Sequence, residues 1–171
     1  YREKNGVDGI LKWAKDWDAN GIIGQFYSDS HVEKLMDAGI AVVAQDFKER
    51  QKDIPNITGD YLGTGRMGAE YFLRKGFRNF AFYGFKNIVW SRERLQGFES
   101  RVNEEGLEVH QFEHNRRFKY RELWYYKPSA LSKWLKSLPK PIALMACDDN
   151  QGMHITEACR VSNIRIPEEV A

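Results

Sequence analysis

Polar side chains follow several apolar runs of this 171-residue chain, at the points where strands are expected to end. A carboxylate accepts hydrogen bonds from pairs of hydroxyls, a guanidinium donates in a planar fork, and an indole ring offers its face to C–H groups. Together such side chains suit a neutral, hydroxyl-rich ligand, although each alone is also typical of a helix cap, a surface ion pair or a core aromatic. The candidates are Gln25, Asp46, Trp90, Arg94, Asp148 and Asp149.

Two adjacent carboxylates, Asp148 and Asp149, separate an apolar run at residues 142–146 from a helical pattern that includes Met153 and Ile155. The pattern predicts a strand, a polar turn and a helix, and ligands of open α/β sheets bind outside the carboxyl ends of the strands. Either aspartate could instead be only a helix cap. We expect Asp148, which is nearer to the strand, to contact the ligand, and Asp149 to cap the helix or support Asp148.

The residues that usually carry catalysis or bind metals lack the spacing that these functions need. The four histidines form neither His-x-x-x-His nor Glu-x-x-His. No serine lies in a Gly-x-Ser-x-Gly elbow, and Cys147 and Cys159 have no metal-ligand or redox spacing. The glycines at residues 63–68 match no phosphate loop, and we expect them to pack a helix. We therefore expect no metal, no cofactor and no enzymatic activity.

The overall composition is that of a globular protein with nearly balanced charge. A net charge of +2 does not argue by itself for nucleic acid or membrane binding. Basic and aromatic residues mix at residues 113–121, but nearby glutamates favour a solvated surface. No apolar run is long enough to cross a bilayer, and two unpaired cysteines fit a reduced, cytoplasmic protein. The chain lacks an initial methionine and stops where an apolar run begins, so we expect truncation at both ends.

Continuous apolar runs alternate along the chain with amphipathic helical patterns. The runs at residues 22–26, 40–44 and 80–84 predict buried strands, and those at residues 107–112 and 142–146 predict strands. Helices are predicted between them, with Gly39, Gly76 and Gly106 at three of the helix ends, and Trp90 falls in a predicted loop at residues 85–91. Apolar strands that are each followed by a helix predict an α/β fold of parallel sheets with helices on both faces.

Several short patterns resemble the lactose-repressor and periplasmic sugar-binding-protein fold, and together they cover nearly the whole chain. They are Asp60-x4-Gly65, Gly68-Ala69-x2-Phe72-Leu73-x2-Gly76-Phe77, the strand at residues 80–84, Arg94-x2-Gly97-Phe98, the turn at residues 146–149 and the segment at residues 164–170. The resemblance implies a two-lobed, type I periplasmic-binding-protein-like fold. Residues 1–59 would be part of the N-terminal lobe and residues 60–171 part of the C-terminal lobe, with a crossover near residues 58–60.

Within that group, the strand at residues 80–84, the spacing of Trp90 and Arg94, and residues 134–141 are most similar to xylose-operon regulators of the arabinose-regulator (AraC) type. The resemblance implies a sugar sensor that controls a separate DNA-binding domain with two helix-turn-helix units. No segment of this sequence has the turn, recognition helix and basic face of such a unit, so the DNA-binding domain is expected outside this chain. A sugar receptor of a transport system is the alternative with the same fold.

The resemblance also implies a ligand, partners and residue roles. The ligand would be an aldose, xylose first, bound in the cleft between the lobes, and the whole protein would be a homodimer without membrane contact. Asp46 matches the aspartate at the end of a sensor strand, Arg94 the sugar-binding arginine, and Asp148 a polar residue that is asparagine in many relatives. Trp90 would stack on the sugar, and Asp60 lies at the crossover.

Overall fold

The computed structural model describes residues 6–26, 28–114 and 128–171. Helices and strands alternate through these residues, and every pair of neighbouring strands is parallel. The predicted α/β fold of parallel sheets flanked by helices is therefore confirmed. The chain divides into two compact units, Tyr1–Gly59 (unit 1) and Asp60–Ala171 (unit 2), and each has its own sheet.

Unit 1 has a three-stranded sheet in the order β1-β2-β3. Its elements are α1 (Gly6–Asp16), β1 (Gly21–Gly24), α2 (Asp29–Asp37), β2 (Ala41–Gln45) and β3 (Asn56–Ile57). The helices cover the sheet with the apolar face that their spacing predicts. The core of this unit consists of the buried side chains of Val7, Phe26, Val32, Leu35, Val42 and Ala44.

The prediction that β1 is buried on both faces is wrong. Ile22 packs against the core of unit 1, but Ile23 beside it is 70% exposed. Successive side chains of a strand point to opposite faces of the sheet, and among the described strands β1 pairs with β2 alone. An apolar run thus predicted the strand correctly, but only one face of this edge strand contributes to the core.

Unit 2 has a sheet in the order β5-β4-β6, so its first strand in sequence is the central one. Its elements are α3 (Tyr61–Arg74), β4 (Phe80–Phe85), α4 (Val89–Asn103), β5 (Val109–His114), α5 (Pro128–Ser137), β6 (Ala143–Ala146) and α6 (Asp149–Val161). Gly76 and Gly106 follow α3 and α4 with φ angles of 85° and 70°, which only glycine adopts at little cost. Both helix ends are as predicted; residues 115–127, which include most of the predicted basic loop and the first residues of the predicted helix at 126–138, lie outside the described residues.

The two faces of β4 are packed against different helices. Phe80 and Phe82 lie on one face and contact Phe98 of α4, with ring centroids 6.0 and 6.3 Å apart. Ala81 and Tyr83 lie on the other face, in a core cluster shared with residues of α5 and α6. All six residues of β4 are buried, as expected for a central parallel strand covered on both sides. This burial holds the carboxyl end of β4 in a fixed position.

Helices α3 and α4 approach each other through two glycines. A Cβ built on Gly65 would collide with the backbone carbonyl oxygen of Arg94 and lie 2.7 Å from the backbone nitrogen of Phe98. A Cβ on Gly97 would collide with the backbone carbonyl of Leu62. Residues 63–68 are accordingly part of a helix and not a phosphate loop, which agrees with the predicted packing role of these glycines. The close approach brings the start of α3 beside Arg94.

The end of the chain lies beside the sheet of unit 2. Val170 forms an isolated parallel bridge with Ile142, directly before β6, which places its backbone beside that strand. None of the helices in the described ranges has the length and apolar character that a membrane span requires.

Candidate functional site

The carboxyl ends of β4, β5 and β6 in unit 2, called the carboxyl edge below, are surrounded by polar and aromatic side chains. Parallel strands end at the same side of a sheet, so the turns that follow them meet there. The first turn of α4 follows β4, and the first turn of α6 follows β6. The side chains at this edge are Tyr61, Phe85, Trp90, Arg94, His114, Asp148 and His154.

Arg94 is held at this edge between two aromatic rings. Its guanidinium carbon lies 5.3 Å from the ring centroid of Trp90 and 5.1 Å from that of Tyr61. Nη1 donates a hydrogen bond to the backbone carbonyl of Cys147, next to Asp148. Nε is buried and has no hydrogen-bond partner among the described residues. The arginine is therefore fixed in direction, and one of its donors is left without a partner among the described residues.

The sequence predicted Trp90 in a loop, and this prediction is wrong. Trp90 is the second residue of α4, which begins at Val89 because Val89 and Ser91 are buried against β4. The Ser91 hydroxyl accepts a hydrogen bond of 2.8 Å from the backbone N–H of Phe85 and fixes this turn. The Trp90 ring has Arg94 over one face and meets Phe85 edge to face at 6.2 Å. The ring thus orients Arg94, and a sugar could stack only on its other face.

The helix cap falls on Asp148 and not on Asp149, which the sequence predicted as the cap or as support for Asp148. Asp148 is the N-cap of α6, in an extended conformation, and its Oδ1 accepts the backbone N–H of Gln151 at 2.8 Å. The cap falls on Asp148 because Cys147 still bonds to Tyr83 of β4 and the helix starts at Asp149. Asp149 is exposed in the first turn. A carboxylate has further lone pairs, so capping leaves Asp148 able to accept from a ligand.

Substitutions of Asp148 can distinguish its role as a helix cap from a role in ligand binding. Asp148→Ala is expected to lower the free energy of unfolding by about 1 kcal/mol, whereas Asp148→Asn should change it little because asparagine caps equally well. If Asp148 also contacts the ligand, both variants should bind it more weakly. Urea unfolding and titration with xylose measure the two effects, with Asp149→Ala as the exposed control. Unchanged affinity in Asp148→Asn would remove Asp148 from the ligand contacts.

His114 and His154 were not among the predicted site residues. His114 ends β5 beside Phe85 and Tyr83, at ring centroid distances of 4.8 and 5.5 Å. His154 lies on α6, where Nδ1 is 3.3 Å from Oε1 of Gln151. Burial lowers the pKa of both imidazoles, and the nearby Asp148 raises each of them less. The sequence signals that could have found them were the position of His114 at a strand end and the three-residue spacing of His154 from Gln151.

Asp46 belongs to unit 1 and directly follows β2, as predicted. It is 2% exposed, and neither carboxylate oxygen has a hydrogen-bond partner among the described residues. The nearest cation is Arg50, 3.6 Å from Oδ2. Gln25 donates to the backbone oxygen of Asp46 at 3.2 Å, so this candidate supports the aspartate backbone. A buried carboxylate without hydrogen bonds is costly and suits an acceptor for ligand hydroxyls.

Asp60 is exposed and caps α3, with Oδ1 accepting the backbone N–H of Gly63 at 2.7 Å. It is the first residue of unit 2, and its side chain is occupied by the cap. The structure does not place Asp60 among the polar side chains of the carboxyl edge. Its neighbour Tyr61 does lie there, with its ring against the guanidinium of Arg94.

The catalytic and metal-binding residue types give no second candidate site. Both cysteines are free and buried, and burial raises the pKa of Cys147 to about 12, so its thiol stays protonated. Across the described ranges, no group of three or more His, Cys, Asp or Glu side chains is arranged to hold a metal ion. Parallel strands with hydroxyl-binding side chains at their carboxyl ends define the class: an α/β domain of the kind that binds small ligands at this edge.

Comparison with known proteins agrees with this class. The family model described as "Periplasmic binding protein-like domain" matches residues 69–171. The chain belongs to this family, and its fold is that of the lactose-repressor type. It resembles the maltose operon repressor structure from Staphylococcus (TM-score 0.74, 21% identity, 96% of this chain and 59% of that one). It also resembles a regulator from Alkaliphilus metalliredigens complexed with D-xylulofuranose (TM-score 0.72, 20% identity, 95% and 58%).

Curated relatives include two xylose operon regulatory proteins. The one from Haemophilus influenzae is 30% identical over 166 residues, which are 88% of this chain and 40% of the relative. The one from Escherichia coli K12 is 26% identical over 171 residues, which are 91% of this chain and 41% of the relative. This chain therefore spans about two fifths of the length of these relatives. Both relatives are named as regulators of transcription and not as enzymes.

Proposed function

We propose that this chain is the effector-binding part of a sugar-responsive transcription regulator and that its ligand is an aldose, with xylose the first candidate. Arg94 carries the proposal, because its guanidinium is fixed between Trp90 and Tyr61 while the buried Nε lacks a partner among the described residues. A pentose in its ring form presents hydroxyls that accept from a guanidinium and donate to carboxylates. The names of the two xylose regulators support this ligand class for the present chain.

The proposed ligand contacts are Arg94 and Asp148 in unit 2 and Asp46 in unit 1. Arg94 can donate hydrogen bonds to sugar hydroxyls, and a carboxylate can accept hydrogen bonds from them. Trp90 contributes by orienting Arg94 and by the ring face that Arg94 leaves uncovered. Asp60 and Asp149 remain candidates of lower rank, since Asp60 serves as a cap and Asp149 is exposed.

We further propose that sugar binding controls DNA binding by a separate AraC-type helix-turn-helix domain of a cytoplasmic homodimer. A ligand shifts a conformational equilibrium only as far as its affinities for the two conformations differ. Contacts that form in one conformation alone therefore determine the size of the response. This chain contributes the sugar contacts and no catalytic step.

A thermal-shift screen of the protein at its full natural length tests the proposed ligand class. D-xylose, L-arabinose, D-ribose and D-glucose are compared with xylitol, an open-chain polyol of similar size. At 100 times its dissociation constant, a bound sugar stabilises the folded state by about 2.7 kcal/mol, which is a readily measured rise in Tm. We expect the largest rise with xylose. Equal melting curves with all four aldoses and with xylitol would contradict the proposal.

The same fold would also suit a receptor that delivers sugar to a membrane transporter. The full natural sequence separates the two functions, because a double helix-turn-helix segment belongs to a regulator and a secretory signal peptide to an exported receptor. A signal peptide would contradict the proposed regulator while leaving the sugar site intact.

A further inference from the structure

The carboxyl edge contains two histidines, His114 and His154, in addition to Arg94 and Asp148. His114 is the last residue of β5 and pairs in register with Phe85, the last residue of β4. His154 projects from α6 near Gln151, which is itself buried. Phe85 in turn contacts the ring of Trp90, and Asp148 caps the helix from which His154 projects. The strand register and the helix cap thus place both histidines at the carboxyl edge.

We propose that His114 and His154 contact the bound sugar and help to determine which aldose the site accepts. The inference rests on the proposed function and extends its ligand contacts beyond Arg94 and Asp148. A guanidinium can only donate hydrogen bonds and a carboxylate can only accept them, whereas a neutral imidazole does both. A hydroxyl also does both, so each histidine can complete the hydrogen bonding of a hydroxyl that Arg94 or Asp148 engages on one side only.

The surroundings fix the orientation of both rings. Phe85 meets the His114 ring edge to face, and Tyr83 lies beside it, so the ring cannot turn freely. Nδ1 of His154 lies 3.3 Å from Oε1 of Gln151, which holds this ring from one side. Rings held in this way need little ordering when a ligand binds, which favours specific recognition.

Few charged groups among the described residues face these rings. From β4, His114 meets only the uncharged rings of Tyr83 and Phe85, and from the α6 side it meets His154 and Asp148. His154 faces Asp148. Burial outweighs the carboxylate in each case and lowers both pKa values, so both imidazoles are neutral near pH 7. Protonation in mild acid would turn each acceptor nitrogen into a donor and disrupt the proposed contacts.

Titration calorimetry with the best aldose, at pH 7.5 and pH 5.5, tests the inference on the protein at its full natural length. Protonation of either imidazole is expected to weaken binding, so wild-type affinity should not be higher at pH 5.5 than at pH 7.5. His114→Gln and His154→Gln should each bind about threefold to tenfold more weakly at pH 7.5 and show a smaller pH dependence. His110→Gln is the matched control, because His110 is exposed on the same strand; it should behave like the wild type.

The outcomes separate the inference from the proposed function. Binding at pH 7.5 with wild-type affinity and pH dependence in both glutamine variants would overturn the inference alone. If a variant does not fold, as judged by its melting curve, His114→Asn or His154→Asn replaces it, and wild-type affinity in both folded asparagine variants overturns the inference. No heat with any of the four aldoses would overturn the proposed function and the inference together.

Discussion

Replacing Arg94 with alanine is expected to weaken aldose binding by about 1.5–3 kcal/mol, roughly tenfold to 150-fold. The variant removes the donors held between Trp90 and Tyr61, among them the buried Nε that has no partner in the described part of the chain. It also removes the hydrogen bond to the carbonyl of Cys147, beside Asp148. Arg94→Lys should recover only part of the loss, because an ammonium lacks the planar fork and stacks less well.

Arg92→Ala is the matched control for this prediction. Arg92 lies on the same helix, two residues before Arg94, and its Nη1 donates to the backbone oxygen of Lys86 at 3.3 Å. The control should keep wild-type affinity for the sugar. Equal affinity in Arg94→Ala and Arg92→Ala, with both variants folded, would exclude Arg94 from the site.

Replacing Gly97 with alanine is expected to lower the free energy of unfolding by about 3 kcal/mol or more. The new methyl group would collide with the backbone carbonyl of Leu62, and a backbone cannot yield in the way that a flexible side chain does. Gly65→Ala should behave similarly, because its methyl group would meet the carbonyl of Arg94 from the opposite helix. Either change would separate α3 from α4 and disturb the contact between Tyr61 and Arg94.

Gly152→Ala provides the matched control for the two glycines. Gly152 lies inside α6, and the nearest atom to a methyl group added there is Cβ of Ala146, 4.0 Å away. Alanine should therefore stabilise the helix by up to about 1 kcal/mol. Urea unfolding of the three variants measures the differences. Gly97→Ala as stable as the wild type would contradict the close packing of α3 and α4.

The order of strands and helices follows from local sequence, which explains why most elements were predicted. Glycines such as Gly76 and Gly106 end their helices in a conformation that other residues avoid. The start of α4 was missed for an equally local reason: its N-cap is Ile88, which makes no side-chain capping bond. The usual signal of Ser, Thr, Asp or Asn is absent, and the helix begins because Val89 and Ser91 are buried. Burial is a tertiary property that the sequence does not display.

Some site residues could likewise be predicted from the local sequence, and others depend on tertiary contacts. Arg94, Asp46 and Asp148 follow strands, so their position at a sheet edge could be read from the chain order. Tyr61 and His114 could not be connected to them, because their proximity depends on the sheet order β5-β4-β6 and on the contact of α3 with α4. Whether Asp148 or Asp149 caps α6 depends on a shift of one residue in the helix boundary, which sequence patterns do not resolve.

Calorimetric titration of D-xylose into the protein at its full natural length, beside its Arg94→Ala variant, is the decisive measurement for the proposed sugar site. We expect a saturable heat for one sugar per chain in the wild type and at least tenfold weaker binding in the folded variant. L-arabinose, D-ribose and D-glucose are titrated in the same way to identify the preferred aldose. No saturable heat with any of the four sugars would refute the sugar site, as would xylose binding that Arg94→Ala leaves unchanged.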